Sequence, residues 1–248
     1  MKSNTFYIAD GSPALRFAAE YLKSKGNPVV FEPDDCVTHA VLPVPSFDDS
    51  DSLKALLRKL PQDVMIFGGK LDAGKFDGYR TADLLRDESY LAENAAITAD
   101  CAVRLAGRHL GVVLRNCPIL IIGWGRIGKC LAGILKSAGA EVTVAARKET
   151  DRAMAQALGF EATDIRQLWL QLARFRVIFN TAPATVLAEA QMNPCRKDCV
   201  KIDLASVKGM EGGDVIWARG LPGKDAPESS GVLIGKTVLR LAMKEAMQ

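Results

Sequence analysis

The 248-residue sequence contains few of the residues from which metal centres and disulfide frameworks are built. It has only two histidines, His39 and His109, and its six cysteines show no Cys-x-x-Cys spacing. A structural zinc site needs four such ligands, so Cys195 and Cys199 alone would leave two positions unfilled. We therefore predict that the chain holds no metal and that its cysteines are reduced, as is usual in the cytoplasm.

Long apolar runs and clusters of one charge are also missing. The net charge is only +3, and the lysines and arginines are scattered rather than gathered into a basic stretch that could follow a phosphate backbone. Every apolar run is far shorter than the roughly 20 residues that span a bilayer. Asp10 interrupts the amino-terminal segment before an apolar run typical of a signal peptide develops. We expect a cytoplasmic protein that binds neither nucleic acid nor membrane.

What the sequence does contain is typical of a globular α/β protein. Hydrophobic residues make up 48% of the chain and charged residues 25%, and this length suffices for two small domains. Short apolar runs at 6–8, 29–31, 40–42 and 64–67 alternate with helical patterns at 14–23 and 52–60, a βαβ rhythm.

Glycines and polar residues over 68–90 mark the edge of this first domain, with a short helix near 81–86. We predict a small amino-terminal α/β domain, flavodoxin-like, over residues 1–92. A helix over 99–114 begins the second domain, 93–248, which we predict to be a Rossmann domain with a doubly wound parallel sheet.

The second domain carries a glycine-rich hexapeptide between a predicted strand, 118–122, and a helical pattern that continues to residue 137. The hexapeptide consists of Gly123, Trp124, Gly125, Arg126, Ile127 and Gly128. In the dinucleotide-binding pattern the first glycine allows a tight turn, the second leaves a bare backbone for the pyrophosphate, and the third allows close contact between helix and strand. We expect all six residues to line a cofactor site at the helix amino terminus.

The end of the next predicted strand, 141–145, indicates which dinucleotide is bound. NAD enzymes usually have an acidic residue here, about 20 residues beyond the glycines, to bind the ribose hydroxyls. This chain has Arg147 and Lys148, with Thr150 nearby. These residues suit a 2′-phosphate and predict NADP(H) as the cofactor. The alternative is a solvated basic turn.

Three later predicted strands, 176–179, 200–204 and 215–218, each deliver polar residues at their carboxyl ends. Ligands of open α/β sheets bind at that edge, so these ends are expected to converge on one cleft. The expected cofactor contacts there are Asn180, Thr181, Ala182, Pro183 and Asp203. Beyond the last strand a helix begins with Pro227, and its amino end at 228–230 is expected to accept an anion.

Several motifs in order resemble those of the family formed by the A subunit of dipicolinate synthase. They are the segments 94–100, 123–128, 180–183, 202–206 and 221–227. The resemblance is strongest from about residue 92 onward. It implies NADP-dependent oxidation of a dihydrodipicolinate ring to pyridine-2,6-dicarboxylate during sporulation, beside a flavoprotein-like B subunit. We also expect a homo-oligomer, such as a dimer.

The resemblance and the positions of charged residues together suggest catalytic residues. Asp100 matches an acidic residue of the family and would orient or deprotonate the ring, although Cys101 follows it where the family usually has glycine. Ser206, Lys208 and Lys224 would lie near a small dicarboxylate substrate.

Two alternatives stay open. The first domain is shorter than the family's usual length, and Glu228 stands where a basic residue is expected, so the chain could be a non-catalytic NADP(H)-binding regulatory subunit. Another NADP-dependent small-molecule dehydrogenase would need a catalytic lysine in the first domain, where Lys70 and Lys75 are the only loop candidates.

Overall fold

A computed structural model describes residues 4–46 and 50–245, so the first three residues of the amino-terminal segment lie outside it. The chain divides into two compact units. One consists of Met1–Asn94 with Pro222–Gln248, and the other of Ala95–Leu221.

The first unit contains a five-stranded sheet in which every described pairing is parallel. Its strands are β1 (Phe6–Ile8), β2 (Val29–Val30), β3 (His39–Val41), β4 (Met65–Gly68) and β5 (Arg80–Asp83), in the order β2-β1-β3-β4-β5. This 2-1-3-4-5 order is that of flavodoxin-like sheets and confirms the predicted class. The helices α1 (Pro13–Ser24) and α2 (Ser50–Leu57) belong to this unit.

Two elements of this unit differ from the prediction. The segment predicted as loop with a short helix near 81–86 contains strand β5 and a single 3₁₀ turn, Leu84–Arg86. Helix α3 (Glu88–His109) begins well before residue 99 and runs from the first unit into the second. Asp87 supplies the missed start signal, because its carboxylate accepts a hydrogen bond from the Tyr90 N–H at 2.8 Å.

The carboxyl-terminal helix α7 (Pro227–Glu245) also belongs to the first unit, although the sequence pattern predicted it as part of the second. It packs closely on α1 through small residues. A Cβ added to Gly231 would overlap the Ala14 carbonyl oxygen and lie 2.6 Å from the Phe17 Cβ, and one on Gly235 would lie 2.7 Å from the Tyr21 ring. This close helix contact, which no local pattern reveals, is why the chain returns to its first unit.

The second unit contains a six-stranded sheet, again with parallel pairings throughout the part described. Its strands are β6 (Pro118–Ile122), β7 (Glu141–Ala146), β8 (Glu161–Asp164), β9 (Val177–Asn180), β10 (Val200–Asp203) and β11 (Val215–Trp217). Their order, β11-β10-β9-β6-β7-β8, is the dinucleotide-binding 3-2-1-4-5-6 order. The predicted Rossmann sheet is therefore confirmed.

Helices α4 (Arg126–Ser137) and α5 (Glu149–Ala157) connect the first three of these strands. The helix predicted over 165–173 is two 3₁₀ segments, Ile165–Leu170 and Leu172–Arg174. The predicted cap is present, since the Asp164 carboxylate accepts from the Arg166 N–H at 2.9 Å. A short helix α6 (Leu221–Asp225) lies where the chain leaves the second unit.

The sheet order brings the ends of β6, β9 and β10 side by side, with Ile122 paired to Asn180 and Asn180 to Asp203. Asp203 is fully buried, and its carboxylate accepts four hydrogen bonds. One oxygen accepts from the Asn180 side chain and the Ala205 N–H, both at 3.0 Å. The other accepts from the N–H groups of Gly209 and Met210 at 2.7 and 2.8 Å. The loop after β10 is therefore folded around this carboxylate.

The contact between α1 and α7 predicts opposite effects for two glycine-to-alanine changes. Gly231→Ala should lower the free energy of unfolding by about 1–3 kcal/mol, because the new methyl group overlaps α1. Gly133→Ala, at an exposed position inside α4 where a Cβ meets open space, should raise it by about 0.5–1 kcal/mol. Urea unfolding followed by circular dichroism measures both. Equal effects would contradict the close packing of α7 on α1.

Asp203→Asn tests the buried carboxylate. An asparagine keeps the shape but turns an NH₂ group toward backbone N–H donors, so the unfolding free energy should fall by about 3 kcal/mol. The control is Asp198→Asn, since Asp198 is an exposed partner of Arg176 and Arg196 and should contribute less than about 1 kcal/mol. If the two variants unfolded at the same urea concentration, the Asp203 carboxylate would not organise the loop.

Candidate functional site

The glycine loop after β6 has three glycines that are required for three different reasons. Gly123 has a φ of +102°, and a Cβ on it would lie 2.6 Å from the Thr181 Oγ1. A Cβ on Gly128 would overlap the Gly123 carbonyl oxygen, whereas one on Gly125 would point into open space. The first glycine thus makes the turn, the third allows α4 to approach the loop, and the second leaves an accessible backbone beside the helix.

The amino end of α4 is suited to hold an anion. The first intrahelical hydrogen bond runs from the Lys129 N–H to the Gly125 carbonyl oxygen at 3.0 Å. The N–H groups of Arg126, Ile127 and Gly128 precede it, at the positive end of the helix dipole. Together with the open backbone at Gly125, this end fits a pyrophosphate.

Trp124 departs from the expectation that every side chain of the hexapeptide contacts a cofactor. Its side chain is only 7% exposed and packs edge to face on Phe160, with ring centroids 5.7 Å apart. The indole therefore belongs to the core of the second unit, because a large apolar ring gains more from burial than from solvent contact.

The segment from Asn180 to Pro183 lies against the glycine loop. The Thr181 N–H and hydroxyl both donate to the Ile122 carbonyl oxygen, at 2.8 and 3.0 Å. This double contact crosses the end of β6 next to Gly123. Thr181 and Ala182 are partly exposed and Pro183 is exposed, so these three stay available to a ligand.

Asn180 and Asp203 were expected to contact a cofactor, but both side chains are fully buried. The Asn180 amide donates to the Ala182 carbonyl oxygen at 3.1 Å and to Asp203, and its own oxygen accepts from the Ala182 N–H at 3.0 Å. Both residues face inward at strand ends, where their hydrogen bonds are used up in shaping the neighbouring turns. They position the loops rather than present a surface to a ligand.

The basic turn after β7 is fixed from behind by Arg152, a residue that the sequence pattern did not single out. Its guanidinium donates to the carbonyl oxygens of Ala146 and Arg147, at 3.0 and 2.8 Å, and lies 3.3 Å from the Asp164 carboxylate. The side chains of Arg147 and Lys148 are exposed, as is Thr150 in the first turn of α5. The backbone of the turn is thus held while its two cations remain accessible.

The nearby acidic residue does not oppose an anion at this turn. Arg166 donates two side-chain hydrogen bonds to Asp164, at 3.0 and 2.7 Å. Hydrogen bonds from Arg166, followed by the charges of Arg166 and Arg152, hold the pKa of Asp164 well below its usual range. Two guanidinium groups therefore compensate its negative charge.

The proposed catalytic residues fall in different parts of the chain. Ser206 and Lys208 are exposed on the loop that folds around Asp203, at the same sheet edge as the glycine loop. Asp100 is exposed on α3 in the second unit, and Lys224 is exposed on α6, in a part of the chain that belongs to the first unit. The participation of Asp100 and Lys224 stays a prediction.

The expected anion site at 228–230 is smaller than supposed. The Ser230 N–H donates to the Ala226 carbonyl oxygen at 3.0 Å, and Ser230 is buried. Glu228 and Ser229 are exposed. Only the first N–H groups of α7 precede its hydrogen-bonded turns, and the exposed Glu228 carboxylate lies among them.

Within residues 4–46 and 50–245, no three His, Cys, Asp or Glu side chains come together as a metal-binding group. In the same ranges, no helix combines the length and apolar character needed to cross a membrane.

Comparison with a protein-family model supports the nature of the second unit. Residues 92–196 match the family of the D-isomer specific 2-hydroxyacid dehydrogenase, NAD binding domain. The match spans the glycine loop, the basic turn and the Asn180 segment. It supports a nicotinamide dinucleotide as the ligand of this unit.

A curated relative, the glutamyl-tRNA reductase of Helicobacter hepaticus, is 27% identical over 141 residues, which are 54% of this chain and 32% of that protein. A second, from Methanopyrus kandleri, is 34% identical over 101 residues, 40% of this chain and 25% of that protein. The chain thus spans about a third or less of the length of the curated relatives it matches.

Two solved structures match nearly the whole chain. The A subunit of dipicolinate synthase from Bacillus halodurans has a TM-score of 0.84 at 19% identity, covering 97% of this chain and 98% of that one. Its counterpart in the dipicolinate synthase of Bacillus subtilis has a TM-score of 0.81 at 18% identity, covering 100% and 99%. The expected resemblance is therefore confirmed at the level of the fold: this chain has the two-domain fold of the dipicolinate synthase A subunit, and its second unit is similar to the dinucleotide-binding domain of dehydrogenases.

Proposed function

We propose that the chain is an NADP-dependent oxidoreductase that oxidises a small cyclic dicarboxylate, dihydrodipicolinate, to dipicolinate. The observation that carries the choice of cofactor is the basic turn at Arg147 and Lys148, held in place by the Arg152 hydrogen bonds to its backbone. The choice of substrate rests on the likeness of fold to two dipicolinate synthases over nearly the whole chain.

The residues of the second unit fit the dinucleotide. The α4 amino end and the open backbone at Gly125 would hold the pyrophosphate. Arg147, Lys148 and Thr150 would bind the 2′-phosphate by charge-assisted hydrogen bonds. Thr181, Ala182 and Pro183 would lie beside the nicotinamide ribose. When bound, the nicotinamide supplies the acceptor for a hydride from the ring.

The chain's own side chains would bind the substrate and move its proton. A dicarboxylate removed from water needs a cation or hydrogen-bond donor for each carboxylate. We assign Lys208, with the Ser206 hydroxyl, to one carboxylate and Lys224 to the other. Asp100 would accept the proton that leaves the ring as the hydride is transferred.

The wider setting belongs to the same proposal. The two structures of similar fold are each one kind of chain, designated A, of dipicolinate synthase. By analogy we infer a partner B subunit of the flavoprotein-like kind, a homo-oligomer such as a dimer, and a role in the cytoplasm during sporulation.

A second candidate function is that of a regulatory subunit that binds NADP(H) without turnover. The observation that favours it is the exposed Glu228 in the first turn of α7, three residues after Asp225. A carboxylate there opposes a dicarboxylate substrate near Lys224, while the dinucleotide site is unaffected.

NADPH should bind at least about tenfold more tightly than NADH, a difference of about 1.4 kcal/mol. The reason is that Arg147 and Lys148 offset the charge of the 2′-phosphate. Arg147→Asp should narrow or reverse the preference, because it replaces an attractive charge with a repulsive one. Calorimetric titration with each dinucleotide measures both dissociation constants.

The matched control is Lys197→Asp, which makes a similar change of charge at an exposed position next to the amino end of β10, on the opposite edge of the sheet. It should leave the ratio of the two constants unchanged. Equal dissociation constants in the unaltered protein would contradict the proposed cofactor choice.

Lys208→Ala and Lys224→Ala should each raise the KM for the dicarboxylate about tenfold or more, because each removes a charge-assisted contact to a carboxylate. The dissociation constant for NADPH should stay nearly the same. The measurement follows reduction of NADP⁺ with dihydrodipicolinate, with and without a B subunit, and Lys197→Ala serves as the control.

Turnover unaltered in both variants would remove Lys208 and Lys224 from the site. Tight NADPH binding without turnover in any form, including with a B subunit, would support the regulatory alternative.

A further inference from the structure

The segment between β9 and β10 brings two thiols together outside the dinucleotide site. Cys195 is partly exposed and Cys199 is buried, and neither is in a disulfide. Two consecutive tight turns carry them: the Cys195 N–H donates to the Met192 carbonyl oxygen at 2.8 Å, and the Cys199 N–H donates to the Arg196 carbonyl oxygen at 3.1 Å. The turns place the two side chains in hydrogen-bond contact with each other.

The thiol pair has an apolar side and a charged side. Both side chains pack on the core of the second unit. Beside them lies Lys201, which is only 5% exposed and donates a hydrogen bond to the Asp214 carboxylate. On the outer side, Arg196 and Asp198 form an ion pair at 2.8 Å. A buried ammonium beside two thiols is the setting in which a thiolate is stabilised.

The two thiols are not equivalent. The hydrogen bond from Cys199, followed by the charge of Lys201, lowers the pKa of Cys195. The hydrogen bond to Cys195 and burial raise the pKa of Cys199. The more exposed thiol is thus the better nucleophile, and the buried one keeps its proton beside it. This asymmetry is that of an attacking and a resolving cysteine.

We propose that Cys195 and Cys199 form a site of reversible oxidation by hydroperoxides, closing to an intrachain disulfide. The Cys195 thiolate attacks one peroxide oxygen, the O–O bond breaks, and the other oxygen leaves as water after taking up a proton. The Cys199 sulfur then attacks the resulting sulfenic sulfur, the S–O bond breaks, and the Cys199 proton leaves with the hydroxide as a second water. Two thiols are oxidised to one disulfide, and one peroxide is reduced to two waters.

The position of the pair separates this site from the proposed cofactor site. Cys199 directly precedes β10, whereas Asp203 ends the same strand at the edge that carries the glycine loop. Oxidation at the amino edge of the sheet therefore touches none of the residues assigned to NADP(H). The dissociation constant for NADPH serves as a check that oxidised and variant proteins remain folded.

The test treats the full-length protein with hydrogen peroxide and then blocks the remaining thiols for mass spectrometry. We expect a loss of about 2 Da and a peptide link between Cys195 and Cys199, both reversed by dithiothreitol. Cys199→Ser should stop at a Cys195 sulfenic acid that dimedone traps, and Cys195→Ser should abolish the link. The control, Cys130→Ser, removes a half-exposed thiol on α4 and should form the same link as the unaltered protein.

A second measurement needs no variant that might be misfolded. In the native, reduced protein, iodoacetamide should modify Cys195 at least about tenfold faster than Cys199. The proposal is overturned if peroxide yields no bond between these two residues, if other cysteines form the link instead, or if Cys199 reacts before Cys195.

Discussion

The carboxyl edge of the second sheet depends on one buried carboxylate. Asp203 ends β10 and gathers four N–H donors, from Asn180, Ala205, Gly209 and Met210. An anion this deeply buried is tolerated only because each of its acceptor positions is occupied, and charge-assisted hydrogen bonds are the stronger kind. In return it ties the end of β9 to the loop after β10. The loop that carries Ser206 and Lys208 therefore has a defined shape although both side chains face solvent.

Steric contacts extend this order to the neighbouring loops. Thr181 crosses the end of β6 by a double hydrogen bond to Ile122, and the space it occupies is open only because residue 123 has no Cβ. Gly128 in turn lets α4 approach the same loop. Farther along the edge, Arg152 holds the backbone at Ala146 and Arg147. A rigid backbone with accessible cations and helix N–H groups is what preorganised phosphate binding requires, because little conformational freedom remains to be lost.

The sequence predicts the centre of each sheet well and its margins poorly. Strand β6 was placed at its observed bounds because five apolar residues are followed by glycine, whereas the edge strands β5 and β8 were missed because polar residues such as Arg80 and Glu161 break any apolar pattern. The assignment of α7 failed because its packing on α1 joins residues far apart in sequence. Asn180 and Asp203 were located at strand ends, but the sequence does not reveal that their side chains turn inward. Arg152 was missed because its partners are backbone carbonyls, which leave no sequence signal.

The carboxyl edge of the second sheet, as proposed, binds a dinucleotide with a 2′-phosphate, and a crystal structure of the protein with NADP⁺ tests this most directly. We predict the pyrophosphate at the N–H groups of Arg126 to Gly128, and the 2′-phosphate within hydrogen-bond distance of the Arg147 guanidinium or the Lys148 ammonium. Asp203 should keep its four hydrogen bonds and remain out of contact with the cofactor. A 2′-phosphate directed into solvent away from Arg147 and Lys148, or a dinucleotide bound elsewhere, would contradict the proposal.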